Sequence, residues 1–196
     1  MTEIRIYHYG RFRCGGGSGN TDCVLQHALA AWNVHADRPV RLPAAVCRTQ
    51  NGKPVIEGAA VSVAHTGTDW YCACSACPVG LDVERIRPVN WQRLAARFYT
   101  AREQAACQDQ AMFFRIWCRK EALVKFWDRT LGYGLSRFET CDEAGLRTVV
   151  MPLEEGGDQG GKTAAYLRDL SLGPQLAGAA AVADPCIEVV REEMSI

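Results

Sequence analysis

The stretch Val79-Gly80-Leu81-Asp82-Val83-Glu84-Arg85-Ile86 reads as a β-strand. In a strand, Asp82 and Glu84 point to the same face. Two carboxylates so placed repel unless a proton or a cation lies between them. A hard, oxygen-binding ion such as Mg²⁺ would relieve the conflict. A solvated edge face, where paired acids are ordinary, is the alternative this stretch leaves open.

Upstream, Ala60 to Ala64 and Trp70 to Ala76 read as two strands joined around His65-Thr-Gly-Thr-Asp69, and Pro78 breaks the chain before the acidic strand. Glu3 to Tyr9 alternates as a strand. Asp22 to Trp32 reads as a helix capped by Asp22, with Val24, Leu25, Ala28, Leu29 and Trp32 at helical spacing. The glycine-rich run from Cys14 to Asn20 lacks the lysine and hydroxyl of a P-loop and reads as a linker.

Downstream, Asn90 to Gln110 is helical in pattern, with a second start signal at Thr100-Ala-Arg-Glu103 that resembles a capping box. Ala111 to Trp127 is the strongest helix, ended by Gly132, Tyr133 and Gly134. Short strands are expected near Phe138 and over Arg147 to Met151, Thr163 to Leu167, Ala177 to Val182 and Ile187 to Val190, with a loop from Glu154 to Lys162. Two successive groups of strands and helices predict an α+β protein built from two similar modules, 1–77 and 78–196.

The 196 residues carry a formal net charge of zero, which disfavours a protein built to coat nucleic acid. The amino terminus has early charge and no long apolar run, and no stretch approaches the roughly 20 apolar residues that span a bilayer. A soluble, cytoplasmic protein with no membrane or nucleic-acid partner is expected. The ten cysteines are irregularly spaced, and reduced thiols are expected. Cys72 and Cys74 read as small buried residues on one strand face. A structural zinc site using these two and Cys77 would need a fourth ligand.

Three further stretches carry candidate chemistry. Trp117, Glu121 and Lys125 lie four apart and share one helix face, either as a site or as a plain ion pair. Gly52-Lys53-Pro54 forms a stiff turn presenting a lysine suited to phosphate. Ser62-Val-Ala-His65-Thr66-Gly67 ends a strand with a histidine and a hydroxyl that can donate to phosphate oxygens.

Taken in order, these stretches resemble the 4′-phosphopantetheinyl transferase family in its longer, two-module form. The matching residues are Gly52-Lys-Pro54, Ala64-His-Thr66, Gly80-Leu-Asp-Val-Glu84, Phe98-Tyr-Thr-Ala-Arg-Glu103 and Trp117-Cys-Arg-Lys-Glu-Ala-Leu-Val-Lys125, followed by Gly132 and Gly134. The resemblance runs from about Arg48 to Phe138. It implies the family's fold, two related α+β modules in a pseudo-twofold arrangement, acting as a monomer.

It also implies an enzyme that moves the phosphopantetheine arm of coenzyme A onto a serine of an acyl or peptidyl carrier protein, releasing adenosine 3′,5′-bisphosphate. Asp82, Glu84 and Glu121 would hold Mg²⁺ against the pyrophosphate. Lys125 and Lys120 would contact coenzyme A, together with Gly52, Lys53, Pro54, Ala64, His65 and Thr66. Glu121 would be the base, directly or through a water, with Glu103 as the alternative.

Three departures from the family pattern stand out. Ala64 occupies a position commonly held by serine. The early helix lacks an arginine for the 3′-phosphate, with Arg11, Arg13, Arg41 and Arg48 as possible substitutes. The amino-terminal part is also short. A coenzyme A or nucleotide sensor without turnover is the alternative function. The carrier and its pathway are not readable from the chain.

Overall fold

The computed structural model describes residues 3–11, 18–130, 132, 134–142, 145–150 and 164–194. In chain order its elements are β1 (Glu3–Tyr9), α1 (Ser18–His35), β2 (Cys47–Arg48), β3 (Pro54–Val55), β4 (Ala60–Thr66), β5 (Asp69–Ser75) and β6 (Val79–Arg85). There follow α2 (Trp91–Phe98), α3 (Ala101–Ala106), α4 (Gln110–Phe126), β7 (Cys141–Asp142), β8 (Gly145–Leu146), β9 (Val149–Val150), β10 (Ala165–Asp169), β11 (Leu176–Val182) and β12 (Glu188–Met194). The α+β class expected from the sequence is the one observed.

The longer strands form two four-stranded sheets, ordered β12-β1-β5-β4 and β6-β11-β10-β9. Period-two alternation gives each sheet two apolar faces. Tyr7, Tyr9, Val61, Cys72 and Cys74 form one cluster with Val24, Leu25, Leu29 and Trp32 of α1. The opposite face of that sheet, with Ile4, Ile6, Tyr71 and Ala73, meets Val79, Leu81, Val83, Ala180 and Val182 of the second sheet. The far face of the second sheet, with Ala177, Ala179 and Ala181, packs under Phe113, Phe114, Ile116 and Leu123 of α4. The layers therefore run helix, sheet, sheet, helix, each pair burying a shared apolar surface. β12 returns from the far end of the chain to pair in parallel with β1, Glu3 opposite Glu188.

β4 and β6 meet at the seam between the sheets. The hydroxyl of Ser62 accepts from the amide of Leu81 (2.9 Å), and that of Thr66 from the amide of Arg85 (2.8 Å). Side-chain oxygens four residues apart thus replace the carbonyls of a ladder, and they satisfy donors that burial would otherwise leave costly. Gly80 sits where β6 crosses α4. A Cβ there would lie 2.0 Å from the Ala122 carbonyl oxygen and 2.5 Å from the Phe126 nitrogen. Only glycine lets the acidic strand come this close to the helix.

Three boundaries differ from the sequence reading. α1 begins at Ser18, so Asp22 lies inside the helix rather than capping it, and its carboxylate pairs with Arg48. Burial of the Val24 to Trp32 stripe extends the helix past local propensity. The helix expected over 90–110 is broken at Tyr99, which is extended (φ −104°, ψ 150°). There the Thr100–Glu103 capping box starts a new helix, because a formed box competes with continuing the previous one. α4 ends at Phe126, earlier than the glycines at 132 and 134 suggested. The amides of Asp128 and Arg129 turn back to the carbonyls of Lys125 (3.4 Å) and Val124 (2.8 Å). This is the Schellman arrangement, with Asp128 in the left-handed position (φ 50°) usually taken by glycine. The loop 154–162, Tyr133 and most of the glycine-rich run lie outside the described residues.

Cys72 and Cys74 are fully buried beneath α1, while Cys77 is partly exposed. Among the described residues, no helix is long and apolar enough to cross a membrane.

Candidate active site

Gly80 brings β6 against α4, and the two chemistry-bearing stretches meet there. The Lys125 ammonium donates to Asp82 Oδ1 (2.9 Å) and to the carbonyls of Leu81 (2.9 Å) and Val63 (3.4 Å). Burial opposes charge on Lys125, but the adjoining Asp82 and Glu121 carboxylates outweigh it and raise its pKa. The second Asp82 oxygen, Oδ2, is buried with no hydrogen-bond partner among the described residues. The Cys118 thiol beside it donates to the Ala177 carbonyl (3.4 Å), and burial, then the adjoining Asp82, push that thiol far up.

Glu121 lies one helical turn before Lys125 on the same face. Burial, then the Asp82 charge, then that of Glu84 push its carboxyl up to about 7, against the pull of Lys125. Glu84 is held outward by Arg87 (2.8 Å). Asp82, Glu84, Glu121 and Lys125 therefore form one electrostatic group.

An orphaned buried carboxylate oxygen and a neighbour driven towards neutrality mark a place short of positive charge. The donors are all hard oxygens, as Mg²⁺ requires. Among the described residues, no trio of His, Cys, Asp or Glu stands gathered closely enough to hold an ion as it is. Asp82 is engaged by Lys125, and Glu84 by Arg87.

Beside this group lies a cavity of about 270 Å³, lined by the Arg48 and Asn51–Pro54 turn, Ser62 and Val63 of β4, and Lys125, Asp128 and Arg129 at the end of α4. Its charged lining is mostly cationic, which suits phosphate. Lys125 belongs to both the cavity and the acid group.

The turn is fastened to the end of α4 by alternate residues. Thr49 Oγ1 donates to Asp128 Oδ1 (2.9 Å), Asn51 Nδ2 to the Asp128 carbonyl (2.6 Å), and Lys53 Nζ to the carbonyl of Lys125 (2.7 Å). A cation on the last carbonyls of a helix stabilises it by about 0.3–1 kcal/mol, and by up to ~2 when partly buried.

Of the residues expected at a site, the structure brings together Asp82, Glu84, Glu121 and Lys125, with Gly52, Lys53 and Pro54 alongside. His65 is exposed and stacks on Trp70 at 4.6 Å, outside the cavity lining. Thr66 spends its acceptor on Arg85 in the seam, and Ala64 is buried between the sheets.

Glu103 and Lys120 require a correction. They form an ion pair of 2.7 Å with both side chains wholly buried, so neither has a face open to a substrate. Lys120 also donates to the carbonyls of Leu135 (2.5 Å) and Phe138 (2.7 Å). Glu103 accepts from the Thr140 amide (2.8 Å) and hydroxyl (2.9 Å).

Among the arginines weighed for the early helix, Arg48 lines the cavity. Sequence reading gave Ser62 no role of its own and passed over Arg129, and both line the cavity. A strand serine and a post-helix arginine carry no local signal, because their positions depend on which elements pack together.

Residues 78–166 match the family model described as the 4′-phosphopantetheinyl transferase superfamily. The 4′-phosphopantetheinyl transferase psf-1 of Bacillus pumilus is 36% identical over 116 residues, covering 54% of this chain and 49% of its own. Sfp of Bacillus subtilis, a 4′-phosphopantetheinyl transferase, is 29% identical over 96 residues, 44% of this chain and 42% of its own. The 4′-phosphopantetheinyl transferase AcpT of Escherichia coli is 40% identical over 72 residues, 33% of this chain and 37% of its own. The matches thus span half or less of the length of these curated relatives. Over residues 78–166, the segment that holds the acids of β6 and the whole of α4, the chain is similar to the 4′-phosphopantetheinyl transferase superfamily.

Proposed function

We propose that this protein transfers the 4′-phosphopantetheine group of coenzyme A to a serine of an acyl or peptidyl carrier protein, with Mg²⁺ as cofactor. The observation that carries the reading is the Glu121 carboxyl, raised to about 7 beside Asp82 and next to a cationic cavity. A carboxyl held up to about 7 by burial and a neighbouring acid marks a place that a cation would fill, and a serine hydroxyl needs a base beside it. The named relatives are transferases of this kind.

Asp82, Glu84 and Glu121 would hold Mg²⁺. When bound, the ion supplies charge neutralisation for the diphosphate and for the departing phosphate. The cavity beside Lys125 takes the nucleotide half of coenzyme A, with the Asn51–Pro54 turn along one wall and Arg48 and Arg129 as phosphate contacts. Lys125, whose Asp82 partner a cation could satisfy instead, would contact the diphosphate.

The carrier serine oxygen attacks the β-phosphorus, and the bond from that phosphorus to the bridging oxygen breaks. Glu121 accepts the hydroxyl proton, and adenosine 3′,5′-bisphosphate departs with the bridging oxygen. We place the boundary between the two modules at 77/78, with β12 returning to complete the first sheet, and take the protein as a cytoplasmic monomer.

The test is incubation with coenzyme A, Mg²⁺ and a panel of apo-carriers, read by intact mass. One phosphopantetheine added to at least one carrier, lost on omission of divalent ion, is the expected result. Coenzyme A binding with every carrier unmodified would favour a sensor instead.

A further inference from the structure

We infer that Lys53 is a positioning residue that caps α4, rather than a ligand for the phosphates of the nucleotide. The inference rests on the coenzyme A reading of the cavity and changes the part that Lys53 plays in it. An ammonium has three donors and no acceptor. In Lys53 all three are spent on backbone carbonyls: Lys125 at 2.7 Å, Val79 at 3.2 Å and Phe126 at 3.4 Å. Two of these are at the carboxyl end of α4, where the helix dipole favours a cation, and the third opens β6. One side chain thus ties the turn, the last turn of the helix and the start of the acidic strand together.

Thr49 and Asn51 reach the adjoining Asp128 from the same hairpin, so the hairpin grips residues 125–128 at three points. Lys53 lines the cavity, but its ammonium is engaged by these carbonyls. Lys125 differs in that one of its partners is a carboxylate that another cation can satisfy. The carbonyls held by Lys53 include helix-end acceptors short of donors; that of Lys125 has besides it only the long bond from the Asp128 amide and a shared one from Trp127. Drawing Lys53 onto a phosphate would weaken that end of α4. What Lys53 supplies is the placement of Lys125 and Glu121 relative to Asp82.

The test compares wild type with Lys53→Met, which keeps the stem and removes the charge. It measures kcat and KM with coenzyme A and with 3′-dephospho-coenzyme A, and amide exchange over residues 125–129. The expected result is a roughly tenfold fall in kcat, with an unchanged KM ratio between the two substrates. Exchange at the helix end should be roughly tenfold faster. Thr49→Val, which releases the same latch without touching a charge, should lower kcat in the same direction with the ratio again unchanged. It also serves if Lys53→Met does not fold. A ratio falling towards one, or a raised KM with kcat held, would mean that the ammonium grips phosphate and would overturn the inference. If wild type uses neither substrate, the coenzyme A reading fails. Exchange then decides the cap alone: unchanged protection at 125–129 refutes it.

Discussion

Lys120 and Lys125 stand five residues apart on α4, and each meets a carboxylate brought from another element. Lys120 meets Glu103 in full burial, and both are completed by further bonds: two carbonyls on the lysine, and Thr100 and Thr140 on the acid. Lys125 meets Asp82, but there one carboxylate oxygen is left buried without a partner and the neighbouring Glu121 is driven up to about 7. A closed, satisfied pair rigidifies and specifies a core. A pair with surplus negative charge beside an open cavity holds its tension ready for a ligand. The difference separates the lysine that serves the fold from the one that serves the site.

The largest break in this comparison should come at the closed pair. Glu103→Ala leaves the Lys120 charge stranded and should cost about 3–5 kcal/mol in urea unfolding. The double change Glu103→Leu with Lys120→Met removes both charges and should recover much of that loss. A single substitution costing no more than a surface pair would mean that the pair is solvated.

At the open pair the larger effect should be on activity. Asp82→Ala should lower carrier modification by roughly 10²–10³-fold, as removal of one charge-stabilising group does, measured by transfer of label from coenzyme A. Glu121→Gln sharpens the contrast through pH. The folded carboxyl titrates at about 7 against an ordinary 4.5. Between those values the folded state holds a proton that the unfolded state has released. Stability therefore declines as pH rises through this window, and the full penalty is present above 7. Glutamine removes the penalty. The inactive variant should match wild type near pH 4 and exceed it by on the order of 2 kcal/mol at pH 8, after discounting for partial exposure. Equal stability at both pH values would deny the strain.

The smallest effect belongs to the latch. Thr49→Val loses one hydrogen bond to Asp128 and should cost about 1 kcal/mol in thermal unfolding.

The two pairs were not equally legible in the sequence. Asp82, Glu84, Glu121 and Lys125 could be grouped because strand and helix periodicity fixes faces, and because the family pattern joins two stretches that periodicity cannot. Glu103 was readable as a capping residue, and it is one. Its second partner, Lys120, lies on another helix. Nothing local distinguishes a capping glutamate that also pairs in the core from one that faces water, so Glu103 was taken for a possible base.

The same limit hid the pairing of β1 with β12, since alternation tells a strand which side to bury and not which neighbour to take. The seam formed by Ser62 and Thr66 was hidden as well, because hydroxyls in strands usually signal nothing. Helix ends were misjudged where tertiary bonds replaced the usual residue. Asp128 takes a left-handed conformation next to partners from the Thr49–Lys53 turn, and glycine two turns away looked the better stop.

The carboxyl carbon of Glu121, followed by NMR across pH with and without Mg²⁺, most directly tests whether this cluster is poised for a cation. Titration near 7 in the metal-free protein, moving well downward once Mg²⁺ is added, is the predicted behaviour. A Glu121 that titrates near 4.5 in both conditions would contradict it, because the acids would then carry no unmet demand for positive charge.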